Sequence, residues 1–358
     1  MTSLPAAETG RFPSQALPAP RDGPGGFAIS VLRETADLLR LEPAWWDLYR
    51  RTPSATPFQS PAWLIPWWCG FRPGRLLTVA VRAGDGRLVG LAPAYIEDGA
   101  GGRRLLPLGI GASDHLDILL DPAAAGAAAA LAAGVAAERA AFAVWELEDL
   151  APDAAAWRLP VPAGARETVA DQVACPVLPL PPGAGSLADL CPTVKRRKIS
   201  LARNRSARRG GFESLDATDA AGATALFERL VALHAARWES QGEPGVLAEE
   251  AVRDFHRAAV PRLAAAGLVR FHAVRLAGGT AAVLYALRDR HRVYAYLSGF
   301  DPAFRFESPG VSVMAAALDG ARRDGARSFH FLRGQEPYKY EWGAVDIWNR
   351  RRSLRWAP

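Results

Sequence analysis

The stretch RFESPGVSVMAAAL (305–318) sets Ser308, Pro309 and Gly310 directly ahead of an apolar-periodic run. Ser308 stands where an N-cap belongs, and Pro309 takes the first helical position, where its missing N–H costs nothing. Val311, Met314, Ala315 and Leu318 follow at i, i+3, i+4 and i+7, so one helix face should be buried. The amides of Gly310, Val311 and Ser312 are then expected to lack intrahelical partners at the positive end of the dipole, with no side chain on Gly310 to obstruct an approaching group. Such a start accepts an anion, and Arg305 adds a charge-assisted contact. An ordinary capped helix is the rival reading. A second concentration, FLRGQEPYKYEWGA (331–344), packs Arg333, Glu336, Tyr338, Lys339, Tyr340 and Glu341 into nine positions beyond a strand, where loops of α/β folds commonly carry function. Its rival is an internal salt bridge between Arg333 and Glu336.

The elements that must position these groups occur twice. RLLTVAVRA (75–83) and RLVGLAPAYIE (87–97) alternate around GDG as a hairpin, followed by a short strand near 115–120, an Ala-rich helix from 122 and the strand FAVWELEDL (142–150). Residues 268–300 give three more strands, then a helix at 309–325 and the strand SFHFL (328–332). The repeated order predicts two duplicated α/β domains. We place them at 27–180 and 194–352, with a Pro/Gly-rich linker at 181–193 and a disordered tail at 1–26. A helical pair precedes each sheet: Ala36–Arg50 with SPAWLIPWW, and Ala220–Ser240 with Glu249–Ala265. The aromatics of the first pair, Trp45, Trp46, Trp63, Trp67 and Trp68, read as core. In the first half the helix equivalent to 309–325 opens LLDPAAAG, where the Asp121 carboxylate would occupy the free amides and repel phosphate. If a phosphorylated cosubstrate binds, it is therefore expected in the second half.

Composition narrows the classes. Hydrophobic residues make up 49% and charged residues 22% of 358, which excludes a largely disordered chain. Cys69, Cys175 and Cys191 have no metal-ligand spacing and form an odd set, so neither zinc nor a disulfide framework is indicated, and a cytoplasmic setting fits best. The apolar run at 123–137 falls short of the roughly 20 residues of a membrane span.

Strands followed by a phosphate-accepting helix start and a further strand resemble the GNAT acyltransferase superfamily. The segments LHAARWESQGEPG (233–245), YLSGFDPAFRFESPG (296–310) and FHFLRGQEPYKYEWGA (329–344) are similar to tandem-GNAT proteins, namely the CelD/BcsL-like acetyltransferases linked to polysaccharide biosynthesis and the Fem-type peptidyltransferases. The loop departs from the usual Gln/Arg-x-x-Gly-x-Gly/Ala pattern, with Ser308 in place of the first Gly. The resemblance implies two tandem GNAT-like domains, each a mixed, mostly antiparallel sheet flanked by helices, with a degenerate first site. It also implies acetyl-CoA or another acyl-CoA as cosubstrate, held by Ser308, Pro309, Gly310, Val311 and Ser312 with Arg305, and no metal. The strand RVYAYLSGF would set Ala295 to Ser298 beside the reacting carbonyl.

Acylation of an amine needs a base, oxyanion donors and an acid for the leaving thiolate. Glu336 is the first choice for the base and Tyr338 for the acid. Tyr294 and Tyr296 alternate to one face, and Tyr296 joins the catalytic candidates. Arg333 and Lys339 would bind an anionic part of the acceptor. His234, Arg237 and Trp238 share a helix face at i, i+3 and i+4 and would line its pocket. In the first half, SDHLD (113–117) contributes Asp114 and His115, the latter as a proton carrier.

VKRRKISLARNRSARR (194–209) holds eight Lys or Arg and no acid. Water, a tRNA, a nucleotide-sugar diphosphate and a peripheral membrane contact are all compatible with it. The readings in competition are an acyl-CoA-dependent N-acyltransferase acting on a small-molecule, sugar or envelope-precursor amine, a Fem-like aminoacyl-tRNA-dependent transferase, and a non-catalytic accessory protein of polysaccharide synthesis.

Overall fold

Leu38, Leu41, Trp45, Leu48 and Tyr49 recur on one face of the first long helix, and burying that stripe drives its docking. The computed structural model describes residues 17–183, 186–239 and 245–357, the side chains of residues 188 and 237–239 excepted. The first half contains β1 (Arg21–Asp22), β2 (Ala28–Leu32), α1 (Thr35–Arg51), α2 (Pro61–Phe71), β3 (Arg75–Leu76), β4 (Thr78–Arg82), β5 (Leu88–Ala92), β6 (Ala94–Gly99), β7 (Gly102–Pro107), β8 (Leu119–Leu120), α3 (Ala127–Ala136), β9 (Val144–Leu150) and β10 (Ala165–Pro179). The second contains α4 (Leu187–Leu190), α5 (Thr193–Ala207), β11 (Glu213–Ala217), α6 (Ala220–Glu239), α7 (Glu250–Ala265), β12 (Val269–Leu276), β13 (Gly279–Arg288), β14 (Arg292–Phe300), α8 (Pro309–Arg323), β15 (Ser328–His330), α9 (Pro337–Tyr340) and β16 (Val345–Trp356).

The expected duplication is present, and the two halves share one sheet. Its order is β11-β12-β13-β14-β15-β10-β16-β9-β7-β6-β3. The order is symmetric about β10 and β16: each half runs from antiparallel strands to one parallel pair, β14 with β15 and β7 with β9. The last strand of each half crosses over. β10 pairs with β15 of the second half, and β16 pairs with β9 of the first, the two arms matching each other from Ala165↔Trp356 to Val177↔Val345. A further sheet, β1-β2-β4-β5-β8, forms where the first-half strands break at Leu77 and Pro93.

The Trp-rich helices are core, as their spacing indicates: Trp45, Trp63, Trp67 and Trp68 are buried, and Trp46 partly so. Their core joins the halves, because Trp63 packs edge-on against Phe255 of α7 with ring centroids 4.9 Å apart. Three expectations need correction. The strand that follows the hairpin and pairs within the long sheet is β7, and only Leu119–Leu120 of the stretch near 115–120 is strand. Of the tail read as disordered, residues 1–16 lie outside the described residues, but Arg21 pairs with Ile29 across β1 and β2 and donates to the Gly134 carbonyl at 2.9 Å. The linker contains α4, and Leu187 and Leu190 pack against the core around α8.

α3 lies close on its sheet because Gly134 permits it: a Cβ there would come within 2.9 Å of both Ile29 Cγ2 and Val79 Cγ1. Both neighbours are β-branched and stiff. Gly134→Val is expected to cost about 2 kcal/mol by overpacking, read as a lower urea midpoint with an unchanged slope.

Candidate functional site

β14 and β15 run side by side only from Arg292↔Ser328 to Tyr294↔His330. Beyond His330 the chain turns to β10, where the Phe331 N–H donates to Pro176 O at 2.9 Å and the Gly334 N–H to Ala174 O at 3.1 Å. From Ala295 onward the edge of β14 therefore has no strand beside it. A β-bulge falls at the same place: Tyr285 faces Leu297 and Ala286 faces Ala295, leaving Tyr296 unmatched. The bulge bends β14 away and re-aims its side chains. A cavity of about 270 Å³ opens between the parted strands.

This cavity collects seven of the residues singled out from the sequence. Tyr296 and Ser298 come from β14, Asp114 from the first half, and Arg333, Glu336, Tyr338 and Lys339 from the loop after β15. Their roles divide on geometry. Arg333 crosses to the first half, with Nε on Asp114, and with Nη2 donating to the Ser113 carbonyl at 2.5 Å and to Asp149 at 3.2 Å. The expected Arg333–Glu336 bridge is replaced by these contacts. Leu332, held at a left-handed φ of 60°, aims the next residue across the cleft. Burial pushes the Asp149 carboxyl up to about 6 and raises that of Asp114, while Arg333 opposes both shifts.

Lys339 is a correction. Its Nζ donates to the carbonyls of Leu332, Arg333 and Gly334 at 3.1, 2.6 and 3.0 Å and pairs with Glu336 at 2.9 Å, so the ammonium is consumed in holding the loop and is not presented to an acceptor. Glu336 is more than half exposed at the cavity. Tyr338 is also exposed there, its ring 6.4 Å from that of Phe331. Tyr296 is a wall residue: its hydroxyl donates to Ala112 O at 2.9 Å, and burial raises its phenol well above the ordinary value. Tyr294 is core, donating to Asp289 at 2.9 Å.

The remaining candidates lie apart. His115 is fully buried behind the cavity, with Nδ1 3.1 Å from Asn349 Nδ2, and burial drives its pKa down to about 4. It is neutral and does not line the cavity, which removes it as a proton carrier. His234 is buried on α6, whose backbone packs against β14 at Gly299, and it is not among the residues lining the cavity. The side chains of Arg237 and Trp238 lie outside the described residues. Sequence reasoning missed Asp149 and the approach of Gly111 and Ala112. The run Glu148-Asp149 at a strand end was the available signal for the first, and GIGASDH (109–115) for the second.

α8 begins at Pro309 as expected, with Ser308 as N-cap residue, though Ser308 is left-handed (φ 58°) and its hydroxyl does not cap. Two of the three amides taken as free are turned onto the Ser308 carbonyl, Val311 at 3.1 Å and Ser312 at a long 3.4 Å. The opening is otherwise unobstructed: Gly310 would meet only Phe300 at 3.8 Å if given a Cβ, and no acid lies in the first turn. Glu307, buried in the preceding turn, is answered by Arg209 at 3.4 Å.

The first half is built alike and closed. β7 and β9 part beyond Leu105 and Trp145, but Leu116, Asp117 and Ile118 fill the gap and leave only about 10 Å³. Asp117 accepts from the amides of Ile118, Ala155 and Ala156, and burial pushes it up to about 7. Asp121 accepts the Ala123 N–H and pairs with Arg51, while α3 starts only after Gly126.

Behind the cavity His256 sits among Trp63, Phe255 and Tyr285, and burial alone lowers its pKa to about 3. The unfolded chain protonates this group below pH 6.5 and the folded chain does not, so its contribution falls away on acidification, by about 2 kcal/mol at pH 5. Asp117 and Asp149 titrate in the opposite sense. Comparing the wild type with His256→Leu isolates the histidine: the pH 7-to-5 loss in unfolding free energy should be smaller in the variant by that amount.

Fold and cleft together define a tandem chain of the GNAT/Fem-like fold whose second half carries the open site. Residues 194–340 match the model of the acetyltransferase (GNAT) domain. Solved structures of similar fold include FemX (13% identity, 87% of this chain and 95% of that one, TM-score 0.61) and a conserved protein of unknown function from Bacteroides thetaiotaomicron (12%, 91% and 99%, TM-score 0.56). L-PGS from Bacillus licheniformis is a further one (10%, 88% and 91%, TM-score 0.51). No curated protein matches the sequence. Among the described residues no group of His, Cys, Asp and Glu is placed to hold a metal ion, and no helix is long and apolar enough to cross a membrane.

Proposed function

We propose that the protein is an acyl-CoA-dependent N-acyltransferase, acetyl-CoA being the simplest donor, acting on an amine of a small-molecule, sugar or envelope-precursor acceptor. The parting of β14 from β15 carries this reading, because it exposes a strand edge next to carboxylate and phenol groups at the same end of the sheet as the start of α8. Gly310 and Arg305 would receive the diphosphate, and the cavity would take the thioester end; the open approach at Gly310 and the lack of acid in the first turn fit that group. Glu336 takes the proton of the attacking ammonium, backbone amides of β14 near Ala295 to Ser298 steady the carbonyl oxygen, and Tyr338 returns a proton to the departing sulfur. No covalent nucleophile is needed.

Calorimetry with acetyl-CoA tests the reading. Saturable heat is expected, with at least tenfold weaker binding in Arg305→Glu because a charge-assisted anion contact becomes repulsive. No heat with any thioester donor overturns it. A second reading, transfer from an aminoacyl-tRNA, draws on the likeness to FemX and on the arginines of α5 beside the α8 start. It requires tRNA binding whose affinity falls steeply with salt.

A further inference from the structure

The basic segment forms α5, and its packing leaves an unusual surface. The stripe it buries is thin: Lys195, Ala202 and Ser206, with Ile199 partly covered. Lys195 lies 4.2 Å over the Trp342 ring and shares Glu341 with Lys198. Arg205 donates to the Phe306 carbonyl at 2.9 Å and lies 4.4 Å over its ring, which ties the loop before α8 to this helix. The outward face carries Val194 and Leu201, exposed at 61% and 46%, and Phe306, exposed at 61%, continues it. On the same side stand Arg197 and Arg208, exposed and with side chains that have no partner among the described residues. No acid occurs along α5.

We propose that the α5–Phe306 face docks on an anionic lipid surface. Unpartnered arginines call for negative charge, and exposed aliphatic side chains among them call for an apolar layer beneath it; a bilayer interface of anionic headgroups over acyl chains supplies both. Nucleic acid supplies only the first. It would leave Val194 and Leu201 stranded, and Phe306, the exposed ring beside them, is already covered by Arg205 on one face. A second copy across a twofold axis would oppose arginines to arginines. The proposal is independent of the acyl-transfer reading, since it concerns residues outside the cleft and its test reads binding alone.

The experiment is flotation of the full chain with vesicles of mixed phosphatidylglycerol and phosphatidylcholine, against phosphatidylcholine alone. The chain is expected to float with the mixed vesicles and not with the neutral ones, and to be released by salt. Each basic residue at such a surface is worth about fivefold in partition, so Arg197→Glu with Arg208→Glu should weaken it about a hundredfold or more. Arg197→Lys with Arg208→Lys should retain it. Leu201→Asp, and separately Val194→Asp, should weaken it about tenfold, with melting temperatures unchanged because all four side chains are exposed. Failure to float at low salt, partition indifferent to these substitutions, or tRNA binding removed by them while vesicles are ignored would each overturn the proposal.

Discussion

Arg333→Ala is expected to destabilise the protein by about 3 kcal/mol, since it leaves two buried carboxylates without their cation. Asp114 and Asp149 are 12% and 5% exposed as side chains, and both approach the same guanidinium. The guanidinium is itself partly solvated, which holds the figure at the lower end of what breaking a buried pair costs. The defect has a pH signature. In the wild type Asp149 already has a raised pKa of about 6. Without Arg333 both carboxyls are raised further in the folded state, so their protonated forms favour folding at low pH and that contribution is lost as pH rises through the folded values. Denaturant unfolding should therefore show the largest deficit near pH 7 and recovery on acidification, and Asp149→Asn should restore part of the loss. A deficit that does not vary with pH would mean that Arg333 acts by packing alone.

Glu336→Gln is expected to lower kcat for acyl transfer by about 10²–10³-fold with little change in KM, the size of a general-base contribution. The substitution tests chemistry cleanly because the carboxylate is more than half exposed and its partner Lys339 keeps three carbonyls without it. Stability should hardly change. An unaltered kcat would move the base elsewhere and leave Glu336 as a brace for Lys339.

The reading of the second half from its residues was close to the observed one, and the reasons are local. Pro309 after Ser308, alternation in β12 to β14, and the tryptophans of α1 and α2 are signals carried within a few positions. What failed depended on distant partners. β10 is mostly exposed along Ala165–Val173 and buries its apolar residues only from Ala174, so its sequence gives no steady alternation; its partners in β15 and β16 lie about 150 positions away or more. Residue type named Lys339 and Arg333 as anion binders, yet Lys339 is turned inward on three carbonyls and Arg333 answers two carboxylates of the other half. Leu332 at positive φ, which sets the second of these, looks like any leucine in the sequence.

The crossed strands bear on how the molecule can come apart. Pulling β10 from its place strips β15 and β16 together, and removing β16 uncovers β9, so neither half can melt while the other stays whole. Loss of structure should then be a single cooperative event. A chain nicked between residues 183 and 186 should behave as two mutually dependent fragments, each a template that the other must complete before acyl transfer could be recovered.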